Sequence, residues 1–322
     1  MNDPTQQFEP HRRELTGYCY RMLGSAFEAE DAVQETMVRA WKNFDRFEGR
    51  SSVRSWLYRI AGNVCFDMLR SPQRRARPSD LTGPSTADDM PGPPLSESTW
   101  IGPIPDSLVA ADPADRAVTK DSVKLAFIAA LQKLPAKQRA VLVLREVLDW
   151  SAAETAELLE LSVASVNSAL QRARATVADL DEGVTDDRDP LDKDQQELLD
   201  NYVSAFEAYD LDALTHLLHE DATLSMPPLD LWLRGADQIR AWFLGTGCGC
   251  RGSKLVPVAA NGVPTFAQYR PSEDPEVWKP WALILLDIRD GQIVAQNNFL
   301  DVERLFPLFG LAMEYRLPKA TA

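Results

Sequence analysis

Apolar residues recur every three to four positions through residues 8–75 and again through 113–180, the period of amphipathic helices. Between these blocks, residues 76–112 lose the period and fill with Pro, Gly, Ser and Asp. Such a composition cannot bury enough apolar area to fold alone, and the segment is expected to be a linker. Trp100 and Ile101 stand apart in it, either as a docking spot or as an incidental apolar pair. A second, acidic linker covers 181–193. Residues 194–219 read as helix. Segments near 222–227, 253–260, 264–270, 280–289 and 292–300 alternate or run apolar like strands, and Asp290-Gly291 is a hairpin turn signal. Helix followed by several strands predicts an α+β domain over 194–316. The expected fold class is multidomain: two all-α blocks and a C-terminal α+β domain.

Two polar faces in the first block carry candidate chemistry. In DAVQETMVRAW, residues 31–41, Val33, Met37, Ala40 and Trp41 share one side of a helix; Asp31, Gln34, Glu35 and Lys42 gather opposite. Spacing alone makes this a solvated face. In WLYRIAGNVCFDMLR, residues 56–70, the predicted buried stripe is Leu57, Ile60, Ala61, Val64 and Met68. Arg59, Asn63, Asp67 and Arg70 fall within an arc of roughly 80° facing away. Trp56, Tyr58 and Phe66 lie nearby, and Arg74, Arg75 and Arg77 follow. Aromatics and guanidinium groups can stack on unpaired bases, an amide can read a base edge, and arginines can hold phosphates. A plain polar helix surface has the same composition.

The second block carries a helix-turn-helix spacing in SAAETAELLELSVASVNSALQRARATV, residues 151–177. Ser151 with Glu154 is a capping box that starts a short helix, 152–159. The turn is Glu160-Leu161-Ser162, and Ser162 can cap the next helix. Ala156, Leu159, Leu161, Val166 and Leu170 supply the contacts between crossed helices. The second helix then exposes Ser165, Asn167, Ser168, Gln171, Arg172 and Arg174, residue types that read a major groove and hold its phosphates. The turn carries Glu160 where Gly is frequent, and a left-handed non-Gly residue costs on the order of 1 kcal/mol.

Charge changes the picture. The net charge of −14 is unevenly spread. Residues 1–75 carry 12 basic against 10 acidic side chains, and 113–180 carry 9 against 8. Residues 76–112 carry 1 against 6, and 181–322 carry 12 against 24. Two weakly basic helical blocks predict poor affinity for free DNA, because few phosphates can be neutralised. A protein that reaches DNA as part of a larger machine tolerates that. No run of about 18 apolar residues and no signal peptide are recognised, so no membrane partner and a cytoplasmic location are expected. Cys19 and Cys65 sit in helical patterns and read as small core residues.

Residues 8–75 resemble region 2 of the extracytoplasmic-function (ECF) sigma factors. The strings that carry the likeness are LGSAFEAEDAVQETMVRAW, FEGRSSVRSWLYRIAGNVCFDMLR and QRRAR. LQKLPAKQRAVLVLREVLDWS, residues 131–151, with the helix-turn-helix, resembles sigma region 4. The resemblance implies that Asp31, Gln34 and Glu35 bind the clamp helices of the β′ subunit of core RNA polymerase. It implies that Arg59, Asn63, Asp67 and Arg70 capture the melting −10 element, and that Ser165, Asn167, Ser168, Gln171, Arg172 and Arg174 read the −35 element. Region 4 would also touch the β flap.

Residues 194–316 resemble SnoaL-like members of the NTF2-like domains through DQQELLDNYVSAFEAYDLDALTHLLHEDATLSMPP, GADQIRAWF and WALILLDIRDGQIVAQNNFLD. A curved sheet closed into a cone by helices is implied. The whole chain looks like the sigma-G-like subgroup, which joins both sigma regions to such an extension. The expected function is promoter-specific initiation, tuned by the C-terminal domain. A helix-turn-helix regulator carrying a sensor or enzyme domain is the alternative. An anti-sigma protein or a small ligand at the C-terminal domain stays open as a partner. His216 and His219 share a helix face with Asp221 close by and could hold a metal, but no third fixed ligand is identifiable, so they read as surface or cap histidines; Cys248-Gly249-Cys250 is not the stronger four-residue thiol motif. Trp232, Trp242, Trp278 and Trp281 read as core in preference to pocket. No nucleophile–base pair can be assembled, so no catalytic residue, metal or cofactor is assigned.

Overall fold

The computed structural model describes residues 5–49, 51–70, 75–109, 122–178 and 193–316. Arg74, residues 110–112 and the acidic linker up to residue 192 lie outside them. The chain divides into two compact units. One joins residues 1–76 to 101–184; the other joins 77–100 to 185–322.

In the helical unit, α1 (Arg12–Leu23), α2 (Ala26–Asn43) and α3 (Val53–Met68) form the first block. Ser25 and Ser52 cap α2 and α3 by accepting backbone N–H groups three residues on. The core between them holds Leu15, Tyr18, Cys19, Val33, Leu57, Tyr58, Ala61, Val64 and Cys65, all but sealed from solvent. Two helix faces differ from the expected ones. α2 buries its small side, Ala29, Ala32, Val33, Thr36 and Ala40, which lets it approach its neighbours closely; Met37 is half-buried and Trp41 is 62% exposed. α3 buries Tyr58, Gly62 and Cys65 beside Leu57, Ala61 and Val64, leaving Ile60 and Met68 half-buried.

The second block comprises α4 (Leu125–Gln132), α5 (Ala136–Leu142) with a π-helical extension Val143–Val147, α6 (Ala152–Leu159) and α7 (Val163–Ala178). The capping box at Ser151 and Glu154 forms, and the hydrogen bonds from Ser151 hold the Glu154 carboxyl below its ordinary pKa. Glu160 adopts the left-handed conformation at φ 56°, and Ser162 accepts the Ser165 N–H. The helix-turn-helix therefore has the expected boundaries.

Buried arginines tie the two blocks together. Arg139 of α5 donates to the Met22 carbonyl near the end of α1 and to the Gln132 and Leu134 carbonyls. Met22 lies in the last turn, where helix carbonyls lack partners along their own helix. Arg21 donates to the carbonyl and hydroxyl of Ser122, and burial pushes its pKa down to about 10. Around them, the Tyr58 and Trp150 rings meet at 5.0 Å, and the Arg54 guanidinium lies 5.3 Å and 5.2 Å from them.

The second unit holds α8 (Lys193–Ala208), α9 (Leu211–His216), β1 (Leu218–Ser225), β2 (Trp232–Arg234), α10 (Ala236–Leu244), β3 (Lys254–Ala260), β4 (Val263–Pro271), β5 (Trp278–Arg289), β6 (Gln292–Phe299) and α11 (Val302–Leu308). The sheet order is β2-β1-β6-β5-β4-β3, with β1 and β6 parallel and the other pairs antiparallel. The helix expected over 194–219 is two helices, and β1 starts earlier than the apolar pattern suggests. Asp290 and Gly291, at φ 50° and 75°, make the hairpin between β5 and β6. Leu199, Tyr202, Phe206, Trp242, Phe243, Phe266, Ile284 and Leu286 build the core.

Residues 77–100 do not behave as a free tether. Ser85 N–H donates to the Trp232 carbonyl, and Ser85 pairs in parallel with Leu233 on the edge strand β2. The Ala87 N–H donates to Gln238, and Ala87 packs into the core of this unit. Trp232 Nε1 donates to the Thr82 carbonyl, Leu95 N–H to the Pro228 carbonyl, and Arg304 pairs with Glu97. The composition predicts a linker, yet main-chain groups, the Ala87 methyl and the Glu97–Arg304 pair dock it to this unit. Trp100 and Ile101 are both buried.

Replacing Arg139 with Ala strips these carbonyls of a charged donor and is expected to destabilise the helical unit by about 3 kcal/mol. Replacing Glu160 with Gly removes the left-handed strain and is expected to stabilise it by about 1 kcal/mol. Urea unfolding monitored by the near-ultraviolet signal of the helical unit measures both.

Candidate nucleic-acid and polymerase interface

The polar arrays anticipated on three helices are all solvent-accessible. On α2, Asp31, Gln34 and Glu35 are exposed. Val38 and Trp41, 44% and 62% exposed, extend the Gln34 face by one and two turns. This apolar extension was missed because a strict 100° projection assigns Trp41 to the buried side. An acidic and amide patch ending in a bare indole suits a protein partner better than a nucleic acid.

On α3, Asn63, Asp67 and Arg70 are exposed and Arg59 is half-buried. Arg39 bridges the two helices. It donates to Glu35 at 2.7 Å and to Asp67 at 3.4 Å, and these contacts raise its pKa, the Glu35 hydrogen bond most. Asp67 also pairs with Arg70 at 3.0 Å. A continuous chain Glu35–Arg39–Asp67–Arg70 therefore links both arrays. Asn63 has open solvent beside this chain. Phe44, Phe47 and Trp56 form an aromatic cluster with Phe8, the Phe47 and Trp56 rings 4.8 Å apart, next to the start of α3.

On α7, Ser165, Asn167, Ser168, Gln171, Arg172 and Arg174 are exposed, while Val166, Ala169, Leu170 and Ala173 face the core. Arg145 joins Asn167, Leu170, Gln171 and Arg174 around one cleft. It comes from the π-helical extension, and helix-turn-helix spacing does not point to it. Its guanidinium donates to the Trp150 carbonyl. Arg174 pairs with Glu146 at 2.6 Å and Arg172 donates to Ser168 at 2.7 Å.

The arginines of these arrays are engaged inside the helical unit. Arg59 meets the Glu157 carbonyl at 3.4 Å and its carboxylate at 3.7 Å. Each such pair is exposed and worth well under about 1 kcal/mol, so phosphate can displace it. The two blocks nevertheless touch through α3 and α6, and the face that carries Arg59 is partly covered.

The C-terminal unit offers different chemistry. Tyr202 donates to Gln296, Gln296 to Asn298, and Asn298 to the Ser225 carbonyl. Gln268 donates to Ser253. These are neutral groups, and burial raises the Tyr202 phenol well above its ordinary pKa. His216 contacts the Asp212 carbonyl, and His219 accepts the Asp221 N–H. Among the described residues no three His, Cys, Asp or Glu side chains form a group that could hold a metal. Cys248 is exposed and Cys250 buried. Trp232 and Trp242 are buried, whereas Trp281 is exposed with the Arg270 guanidinium 3.8 Å from its ring centre. Among the described residues, no helix is long and apolar enough to cross a membrane.

Two helical blocks, each with a helix that exposes a polar array, joined to an α+β domain, define a sigma-70-type transcription factor with an accessory domain. Residues 7–75 match the model of Sigma-70 region 2, 124–177 that of Sigma-70, region 4, and 199–296 that of the SnoaL-like domain. The chain is 42% identical over 310 residues to the ECF RNA polymerase sigma factor SigG of Mycobacterium tuberculosis strain H37Rv, covering 94% of this chain and 82% of that protein. It is 27% identical over 300 residues to SigJ, another ECF RNA polymerase sigma factor of that strain, covering 90% of this chain and 89% of that one. The crystal structure of Mycobacterium tuberculosis SigJ superposes with a TM-score of 0.62 at 23% identity, covering 96% of this chain and all of that chain. The chain belongs to the ECF RNA polymerase sigma factors. Region 2 sets it apart from a regulator that uses a helix-turn-helix alone.

Asn63→Ala and Arg70→Ala are expected to lower promoter opening ten- to hundredfold, the worth of about 1–3 kcal/mol of lost base or phosphate contacts. Because both residues are exposed, thermal stability should stay unchanged. Permanganate footprinting of the −10 region alongside melting curves makes the check.

Proposed function

We propose that the chain recruits core polymerase through Asp31, Gln34 and Glu35, with Val38 and Trp41 completing the patch against the clamp helices of β′. As an ECF sigma factor it binds core RNA polymerase and promoter DNA and directs initiation. In this reading Arg59, Asn63, Asp67 and Arg70 take the −10 element as it melts. Ser165, Asn167, Ser168, Gln171, Arg172 and Arg174 take the −35 element, and Arg145 and Arg174 hold its phosphates. The observation that carries the reading is the exposure of these three arrays on separate helices whose opposite sides are buried. Weakly basic blocks fit a factor whose DNA affinity comes from its polymerase partner. Acting beside polymerase, the chain works in the cytoplasm.

The C-terminal domain is read as a modulator without turnover of its own. Among the described residues its buried polar side chains are amides, hydroxyls and a phenol, with no paired acid and base among them. Its acidic balance, 12 basic against 24 acidic residues over 181–322, favours contact with a basic surface of the machinery.

Purified core polymerase with and without this chain, on DNA carrying a matched promoter, tests the reading: transcripts should require the chain. Gln34→Ala with Glu35→Lys is expected to weaken core binding at least tenfold in a fluorescence titration, while the variant's circular dichroism stays that of the parent. A chain ending at residue 192 should change promoter output severalfold; unchanged output would remove the modulating role.

A further inference from the structure

The stretch between the two promoter-reading blocks makes an excursion. It leaves the helical unit after Ala76 and returns at Ile101, and the Ile101 N–H donates to the Ala76 carbonyl at 3.2 Å. The returning chain is then pinned again: Gly102 N–H donates to the Gly24 carbonyl, Tyr20 Oη donates to the Gly102 carbonyl, and Ile104 and Val109 are buried. Everything between these points, Arg77 to Trp100, is docked in the C-terminal unit by the Ser85, Ala87, Thr82, Leu95 and Glu97 contacts.

Length then becomes decisive. Elements named for positions −10 and −35 lie about 25 base pairs apart, about 85 Å of duplex at roughly 3.4 Å per step. In this structure α3 and α6 touch, so the two readers cannot serve both elements at once. With the excursion closed and Val109 seated, the chain from Val109 to Ser122 reaches at most about 45 Å. If residues 102–109 also peel away, the chain from Ile101 to Ser122 reaches about 70 Å, and only when drawn straight. The excursion itself stores about 80 Å of further contour. A linker that is stretched straight loses nearly all its conformational freedom, whereas one with slack does not.

We propose that Arg77–Trp100 is a reserve of linker held by the C-terminal domain, and that its release lets region 4 move far enough from region 2 for both promoter elements to be engaged. The proposal rests on the sigma-factor reading and gives the C-terminal domain its means of modulation: it meters the reach of region 4. The holding contacts suit release. Between Thr82 and Glu97 the Ala87 methyl enters the core, and the Thr82, Ser85, Ala87, Leu95 and Glu97 contacts are single hydrogen bonds and the Glu97–Arg304 ion pair. No buried charge has to be extracted from the C-terminal unit.

Amide hydrogen exchange of the full-length chain, free and in holoenzyme bound to a promoter, tests it. The Ser85, Ala87 and Leu95 amides should be protected in the free chain and exchange at least tenfold faster on the promoter. Equal protection in both states would overturn the proposal. Transcription from the same promoter complexes separates the outcomes, since absent transcripts would instead condemn the sigma-factor reading on which it stands. A second measurement locks the strap. Ala76→Cys with Ile101→Cys, in a Cys248→Ser chain, uses the contact of the Ile101 N–H with the Ala76 carbonyl at 3.2 Å and closes the excursion at its mouth. The oxidised species, isolated as such, should lose transcription at least tenfold and regain it with dithiothreitol. Full output from the oxidised species would also overturn the proposal.

Discussion

The helical unit depends on a charge taken out of water. Arg139 sits between the two blocks with carbonyl groups as its partners, and Arg21 does the same toward Ser122. Burying a guanidinium is costly unless its donors are satisfied, and here the unpaired carbonyl at the end of one helix supplies part of that satisfaction. The contact is specific in a way that an apolar patch is not, because it fails if the helices slide by a residue. It also makes the closed arrangement conditional. A polar seam can exchange its partners for water or for another protein with less loss than a greasy one. On the proposed reading, in which region 4 parts from region 2, such a seam suits the factor.

The surface follows the same logic at lower cost. Arg39, Arg59, Arg70 and Arg174 each face an acid within the unit. These pairs hold the arginines in place and lower the positive field that free DNA would feel, while being too weak to resist a phosphate backbone presented by a bound machine. On the proposed reading, these side chains favour the assembled state over naked duplex.

Much of this was legible in the sequence, for physical reasons that differ by region. The helix-turn-helix was clear because its signals are local: a capping box at Ser151, a break at Glu160, a cap at Ser162. The Asp290-Gly291 hairpin was clear for the same reason. Trp41 was misplaced because helix periodicity gives a direction and not a depth; the close alanine side of α2 leaves no room for an indole. Arg145 had no signal in the helix-turn-helix spacing because it reaches α7 from another element. The docking of residues 77–100 had no signal, since Ser85 and Leu95 act through main-chain groups that every residue carries. The three-residue strand β2 is too short to show an alternation.

β2 ends the sheet, and its outer side is occupied by Ser85. An open sheet edge is a template on which any extended polypeptide can pair, including another copy of the same chain. When Ser85 departs, that edge is uncovered until it finds a new neighbour. Seated on β2, the strap therefore also guards the sheet against self-association.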